Sequence, residues 1–378
     1  MQLSNEDNLR LNVLLAQPLH AIRISEGTMT VYALTEKGEA KVQLNPTARD
    51  EQYLRWVREL LSMKITGSPS GYPVFIKRWT RMGQTNNTLE HMLLLGEPEA
   101  IVAMVHSPEL SHEMARRAWW AHPTTEVARR LLHYPEVVAG ELGKELVEYL
   151  LEFLPFEEEQ LNVVDTVRLS LQGDLIAEKK RSELWKRAKR KNPYYIGFLH
   201  SDRGKNIPLL KPDHPHLTTI KTSLSAPLAT NNIYAQALCQ LLSSAGQGWL
   251  ETLKQALHKP VDQEVVISLF KAIDGYFNLP FPEHRGIREI ANAEQRATLF
   301  CCGKSNSDVV CPEDVQHIIA ALTEEYIPLF NALLVLAQLG EDTLIPIFAG
   351  NDSVGTVMRR RLQPVTLPIL EKIDILML

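Results

Sequence analysis

The sequence predicts a mainly α protein with a small N-terminal α+β domain, a helical-hairpin (HEAT-like) array behind it, and a second helical region at the C-terminal end. Three observations predict this. Apolar residues recur with a period of two near the N-terminus, they recur at three and four from Leu89 onward, and Pro stands repeatedly at the heads or ends of short helical stretches.

In the first part, Ile22 and Ile24, then Met29, Val31 and Ala33, then Ala40, Val42 and Leu44 alternate with more polar neighbours, as half-buried strands do. Ser25-Glu26-Gly27 and Glu36-Lys37-Gly38 supply the turns between them. A helix is expected after Asn45-Pro46-Thr47, with Tyr53, Leu54, Val57, Leu60 and Leu61 on one face. Behind a Gly/Ser/Pro break, residues 72–79 read as one more strand. Residues 1–85 therefore form a β-meander backed by a helix.

From Leu89 the pattern is helical, punctuated by Pro98, Pro108, Pro123, Pro135 and Pro155. Residues 99–110 align without gaps on 126–137, with identities at Glu99/Glu126, His106/His133, Pro108/Pro135 and Glu109/Glu136. This weak internal repeat suggests stacked helical hairpins over 86–199, although shared capping chemistry gives short helices the same look. Leu146, Val147, Leu150, Leu151 and Leu154 form a buried face. Residues 200–231, with Pro208, Pro212, Pro215 and Pro227, read as a linker or a long surface loop. Helical patterns return over 232–378, in Tyr234/Leu238/Leu241/Leu242 and Leu329/Leu333/Leu336, and Pro364 and Pro368 make the end from 363 partly extended.

The 378 residues carry 40 Lys and Arg against 45 Asp and Glu, and 45% apolar content excludes an intrinsically disordered chain. Glu6 and Asp7 stand where an export signal needs basic residues, so none is expected. The most apolar run, 327–339, is shorter than the roughly 20 residues that span a bilayer and reads as a buried core helix, so no membrane insertion is expected. Four cysteines, two of them adjacent, give no disulfide framework, and a reducing cytoplasm is the expected setting.

Few residues suggest chemistry. Cys302-Gly303-Lys304-Ser305 lacks the earlier glycine of a phosphate-binding loop, since Thr298 stands in its place. Cys301, Cys302, Cys311 and His317 do not have the spacing of a structural zinc site, and His214-Pro215-His216 has no third ligand nearby. No metal, no cofactor and no catalytic constellation is expected. Arg116-Arg117-Ala118-Trp119-Trp120 reads as packing rather than a ligand platform.

One segment stands out. Lys179, Lys180, Arg181, Lys186, Arg187, Lys189, Arg190 and Lys191 place eight cations and one acid, Glu183, in thirteen residues. The rest of the chain has 32 basic and 44 acidic residues, so a formal charge of −5 separates into −12 on the bulk and +7 here. Leu184, Trp185 and Ala188 give the segment a narrow apolar stripe, which makes it a helix with a wide cationic face. It is a candidate site for phosphate, RNA or an acidic protein, with Tyr194 and Tyr195 as stacking platforms. The competing reading is a solvated face that pairs with the chain's own acids, Glu157 to Glu159 or Glu145, Glu148 and Glu152.

Several stretches resemble a known family. Leu9-Arg-Leu-Asn-Val-Leu-Leu15, Ala21-Ile-Arg-Ile24, Met29-Thr-Val-Tyr32, Gly38-Glu-Ala-Lys-Val-Gln-Leu-Asn-Pro46 and Arg78-Trp-Thr-Arg-Met-Gly83 are similar to the DsrS family. So are Leu95-Gly-Glu-Pro-Glu-Ala100, Ala115-Arg-Arg-Ala-Trp-Trp-Ala121 and Phe153-Leu-Pro-Phe-Glu-Glu158. These are cytoplasmic proteins of sulfur-oxidising bacteria, encoded with the dissimilatory sulfite reductase machinery. The resemblance runs over residues 1 to about 200 and implies a role in sulfur oxidation without a catalytic signature. The expectation is a non-catalytic interaction or regulatory protein with partners in that pathway, its basic helix meeting RNA or an acidic protein. The alternative is a sulfur-transfer enzyme or persulfide carrier using Cys301, Cys302 or Cys311, with a helix N-terminus or Lys304 lowering the thiol pKa.

Overall fold

Ser4 accepts a hydrogen bond from the Asp7 amide at 3.1 Å and so caps the first helix, α1 (Asn5–Leu15). The computed structural model describes residues 3–67, 86–209, 211–281, 287–303, 310–349 and 354–377, and elements are numbered over these. It is 67% helical with a three-stranded antiparallel sheet near the N-terminus, so the protein is mainly α with a small N-terminal α+β part. It divides into two compact units, Met1–Phe153 and Leu154–Leu378.

In the first unit, β1 (Leu19–Ser25), β2 (Thr30–Thr35) and β3 (Gly38–Gln43) pair in the order β1-β2-β3. Ile22 lies opposite Ala33, and Val31 opposite Val42, so the alternating apolar residues share one face. That face packs on Leu11 and Leu14 of α1 and on Tyr53, Leu54, Val57 and Leu61 of α2 (Asp50–Thr66). The strand expected over 72–79 lies outside the described residues. Six further helices follow: α3 (Asn86–Leu93), α4 (Pro98–Met104), α5 (His112–Ala121), α6 (Thr125–Leu131), α7 (Pro135–Ala139) and α8 (Glu141–Phe153).

Helices α3 and α5 pack on β1, so the sheet and the helices behind it form one unit rather than the two domains expected on either side of residue 85. The contact is specific. Arg23 of β1 lies over the Tyr32 ring at 4.8 Å and the Trp120 ring at 4.9 Å, while Glu39 accepts from Trp120 Nε1 at 3.2 Å and pairs with Arg23 at 3.4 Å. Trp119 is turned inward, meets Tyr149 edge-on and donates to Glu145 at 2.6 Å. Both tryptophans therefore pack, as their residue types suggested.

The internal repeat has a local structural basis. Helices α4 and α6 each have a Glu in the first turn and seven residues, and each ends with an amide bonded back to the fourth residue before it, Val105 to Ile101 and Leu132 to Ala128. The copies diverge at the shared prolines. Pro135 opens α7, whereas Pro108 sits in a turn.

The second unit holds α9 (Gln160–Ser170), α10 (Glu178–Ala188), α11 (Pro193–Leu199), α12 (Leu217–Ser223), α13 (Ser225–Ala229), α14 (Ile233–Leu242) and α15 (Ser244–His258). It continues with α16 (Gln263–Phe277), α17 (Ile290–Cys301), α18 (Glu313–Ala321), α19 (Ile327–Leu336), α20 (Ile345–Phe348) and α21 (Gly355–Met377). Helix α11 is buried nearly all round and packs against α9, α10, α15 and α16. It approaches α9 closely at Gly197, where a Cβ would lie 2.6 Å from Val167 Cβ. Only glycine fits such a helix crossing.

Three expectations change here. The hairpin array expected to reach 199 ends with its unit at Phe153, and α9 to α11 belong to the second unit. Residues 200–231, read as a linker or a long surface loop, are built into that unit: two helices form, and the His214 amide donates to Leu242 O at 2.8 Å and the Ser244 amide to Asp213 at 2.6 Å. Finally, α21 continues without interruption through Pro364 and Pro368, where a partly extended end from 363 was expected. Met358, Leu362, Val365, Ile369, Ile373 and Leu376 bury one continuous stripe, and that burial outweighs two missing amide donors.

The run 327–339 is a core element, with α19 buried along most of its length. Among the described residues, no single helix is long and apolar enough to cross a membrane.

Candidate functional site

The basic segment folds as its pattern dictates. Leu184 and Ala188 of α10 are 4% and 1% exposed, Trp185 is half-buried, and Lys179, Lys180, Lys186, Arg187, Lys189, Arg190 and Lys191 face solvent. Arg181 pairs with Glu178 at 3.0 Å across one turn. Most of the remaining cations gather at the C-terminal end of α10, where the helix dipole favours positive charge. None of Lys186, Arg187, Lys189, Arg190 and Lys191 is ion-paired with a described residue. Of the acids proposed as internal partners, Glu145 accepts from Trp119 at 2.6 Å, and Glu157 accepts the Glu159 amide at 3.2 Å.

The chain then reverses quickly. The Arg190 and Lys191 amides both bond to Arg187 O, at 2.9 and 3.1 Å, and α11 begins two residues later at Pro193. This turn forms one wall of a groove of about 850 Å³. Lys189, Arg190 and Lys191 line that wall, and Lys211, His258 and Lys259 come from other segments. Glu251 is the one carboxylate among the lining residues, and it pairs with Lys211 at 3.4 Å. The groove is therefore cationic. Its apolar surface comes from Trp185, Pro193, Tyr195, Leu209 and Val261. Asn192 Nδ2 donates to Ala256 O at 2.9 Å and ties the turn to α15, so the two walls are held together.

The paired tyrosines separate. Tyr194 is 1% exposed and lies in the core, so it offers no platform, whereas Tyr195 is half-buried and lines the groove. Burial, then the nearby Glu251 charge, raises the Tyr195 phenol pKa, which keeps it neutral. Trp185 meets both Tyr195 and Phe198 edge-on. Lys211, His258 and Lys259 were not singled out from the sequence, because they lie far along the chain from the basic segment and only the tertiary fold brings them to the turn.

The cysteines lie elsewhere in the unit and line none of this groove. Cys301 and Cys302 sit at the C-terminal end of α17, not at a helix N-terminus, so the dipole there does not favour a thiolate. Burial pushes the Cys301 thiol up to about 11 and also raises Cys311, which is 2% exposed. Cys302 is exposed. Lys304 and Ser305 lie outside the described residues. His214 is 4% exposed, its Nδ1 accepts the His216 amide at 3.3 Å, and its ring lies 5.5 Å from that of His216. Among the described residues, no group of three or more His, Cys, Asp or Glu is placed to hold a metal ion.

Such an arrangement can bind anions and flat rings together. Compared with known proteins, the chain matches no family model, no curated protein sequence and no solved structure.

Proposed function

We propose that this is a non-catalytic interaction protein whose cationic groove binds single-stranded RNA. The observation that carries this reading is that the half-buried Tyr195 lines the same groove as Lys189, Arg190, Lys191, Lys211 and Lys259. Phosphates suit the cations, and an unpaired base suits the ring. An acidic protein surface would use the same charges but has less use for the ring, which is why RNA is the first reading and an acidic partner the second. The resemblance to the DsrS family supports placing the interaction in cytoplasmic sulfur oxidation, in a regulatory role alongside protein partners of that pathway.

The test is fluorescence anisotropy with a labelled single-stranded oligoribonucleotide at low and moderate salt. Affinity should fall steeply with salt, and replacing Lys186, Arg187, Arg190 and Lys191 by Ala together should remove most of it. Salt-insensitive or absent binding would remove the RNA reading. Pull-down from cells oxidising stored sulfur tests the pathway: recovery of neither RNA nor sulfur-oxidation proteins would count against it. The persulfide alternative rests on Cys302, the exposed thiol of the three, and mass spectrometry after treatment with a persulfide donor decides it by the presence or absence of an added sulfur.

A further inference from the structure

We infer that the groove is a binding site for a single nucleotide, a phosphorylated aromatic heterocycle, and not merely a stretch of surface that tracks a polymer. The inference rests on reading the groove as a phosphate site and narrows it to a ligand class.

Size is the first argument. At about 850 Å³ the groove falls within the range of roughly 300–1,000 Å³ that small-molecule sites occupy, and it is bounded by walls from different segments. Those walls are preformed. The Asn192 to Ala256 hydrogen bond, at 2.9 Å, fastens the α10–α11 turn to α15, so a ligand need not order the loop on entry.

Charge is the second. Lys189 and Lys191 line the groove from the α10–α11 turn and Lys211 and Lys259 from other segments, while the single lining carboxylate, Glu251, is engaged by Lys211 and, on the same helix, by Gln255 Nε2 at 2.9 Å. Several cations on more than one wall suit two or three linked phosphates better than one isolated phosphate on a strand.

The apolar part is the third. A bare polyphosphate would leave Tyr195, Leu209 and Val261 wet, whereas a nucleotide covers them with its base and ribose. Ring and charge line one groove, and that juxtaposition selects a molecule carrying both.

Isothermal titration of the full chain with ATP, tripolyphosphate and adenosine, without added metal, tests this, with labelled oligoribonucleotide binding measured on the same protein. ATP should bind saturably and at least about tenfold more tightly than tripolyphosphate or adenosine, because only ATP uses both halves of the site. Tyr195→Leu should weaken ATP by about tenfold while leaving tripolyphosphate unchanged, and Lys259→Glu, at an exposed position, should weaken both. Lys179→Glu, on α10 and outside the groove, should change neither. Thermal melts of each variant check that it folds, and Lys259→Glu keeps the test decisive if Tyr195→Leu does not. Equal affinity for ATP and tripolyphosphate with a silent Tyr195→Leu would overturn the inference in favour of a plain anion site. Oligoribonucleotide binding without ATP binding would overturn it and leave the proposed function standing. Binding of neither would remove both.

Discussion

Tyr195 meets Trp185 edge-on across the α10–α11 turn, with ring centroids 5.3 Å apart at an interplanar angle of 76°. Trp185 also meets the buried Phe198 edge-on at 5.0 Å, so the half-buried Tyr195 ring is braced against the core by a second one. A platform held in this way loses little freedom when a base stacks on it.

Stacking and charge should therefore separate experimentally. Tyr195→Leu is expected to weaken oligoribonucleotide binding by about 1–3 kcal/mol without changing its salt dependence. Lys191→Ala should weaken binding and reduce the slope of log affinity against log salt by about 0.7. Anisotropy titrations over a salt series read both quantities.

The close approach of α9 and α11 sets where Tyr195 sits. Gly197→Ala places a Cβ 2.6 Å from Val167 Cβ and 2.9 Å from Val164 O, which forces the helices apart. A loss of about 1–3 kcal/mol in urea unfolding is expected.

A buried carboxylate ties α1 to the sheet domain. Asp7 Oδ2 accepts from Tyr53 Oη at 2.5 Å and from the Asn45 amide at 2.8 Å, and Asp7 is fully buried. Tyr53→Phe should cost about 1.5–3 kcal/mol because the hydrogen bond is to a charged group. Asp7→Ala should cost at least as much, and the double variant should lose less than the sum of the two. Burial, reinforced by the bond to Asp7, raises the Tyr53 phenol pKa above 10. Its contribution is fully present below pH 10 and is lost as pH rises beyond it, a dependence that Tyr53→Phe should remove.

His200 gives the opposite dependence. Its Nε2 donates to Ser268 O at 2.9 Å, and burial, then the Arg168 charge, lowers its pKa below 6.5. On acidification the unfolded chain takes up the proton first. Stability is therefore complete above pH 6.5 and declines as pH falls below it, and urea midpoints at pH 5.5 and 7.5 should differ less in His200→Gln than in the parent.

The helix through Pro364 and Pro368 invites a gain of stability. Pro364 is exposed, so Pro364→Ala restores an amide donor to the helix without disturbing the buried stripe. A higher melting temperature is expected, corresponding to no more than about 3 kcal/mol.

What was legible in the sequence was whatever a local period carries. Val31 and Ala33 announced a strand, Tyr53, Leu54, Val57 and Leu61 a helix face, and Leu184 and Ala188 the inner side of the basic helix. Helix α1 escaped because its inward residues are Asp7, Leu11 and Leu14, while Leu9 and Val13 point outward, so it has no clean apolar stripe. Pro364 and Pro368 misled because a local breaker was weighed without the stripe that holds the helix in place. Tyr194 and Tyr195 were indistinguishable because adjacent helical residues differ by about 100° in direction, and only packing decides which points inward. The groove itself was half visible: its cations in the α10–α11 turn are contiguous, but Lys211, Glu251 and Lys259 reach it through the tertiary fold alone.

The central claim, that this groove holds RNA, is tested most directly by ultraviolet cross-linking of a bound oligoribonucleotide to the full chain, with the attachment sites read by mass spectrometry. The account predicts cross-links at Tyr195 and in the peptides carrying Lys189 to Lys191, reduced by high salt. Cross-links confined to residues outside the groove, with none at Tyr195 or its neighbours, would contradict it.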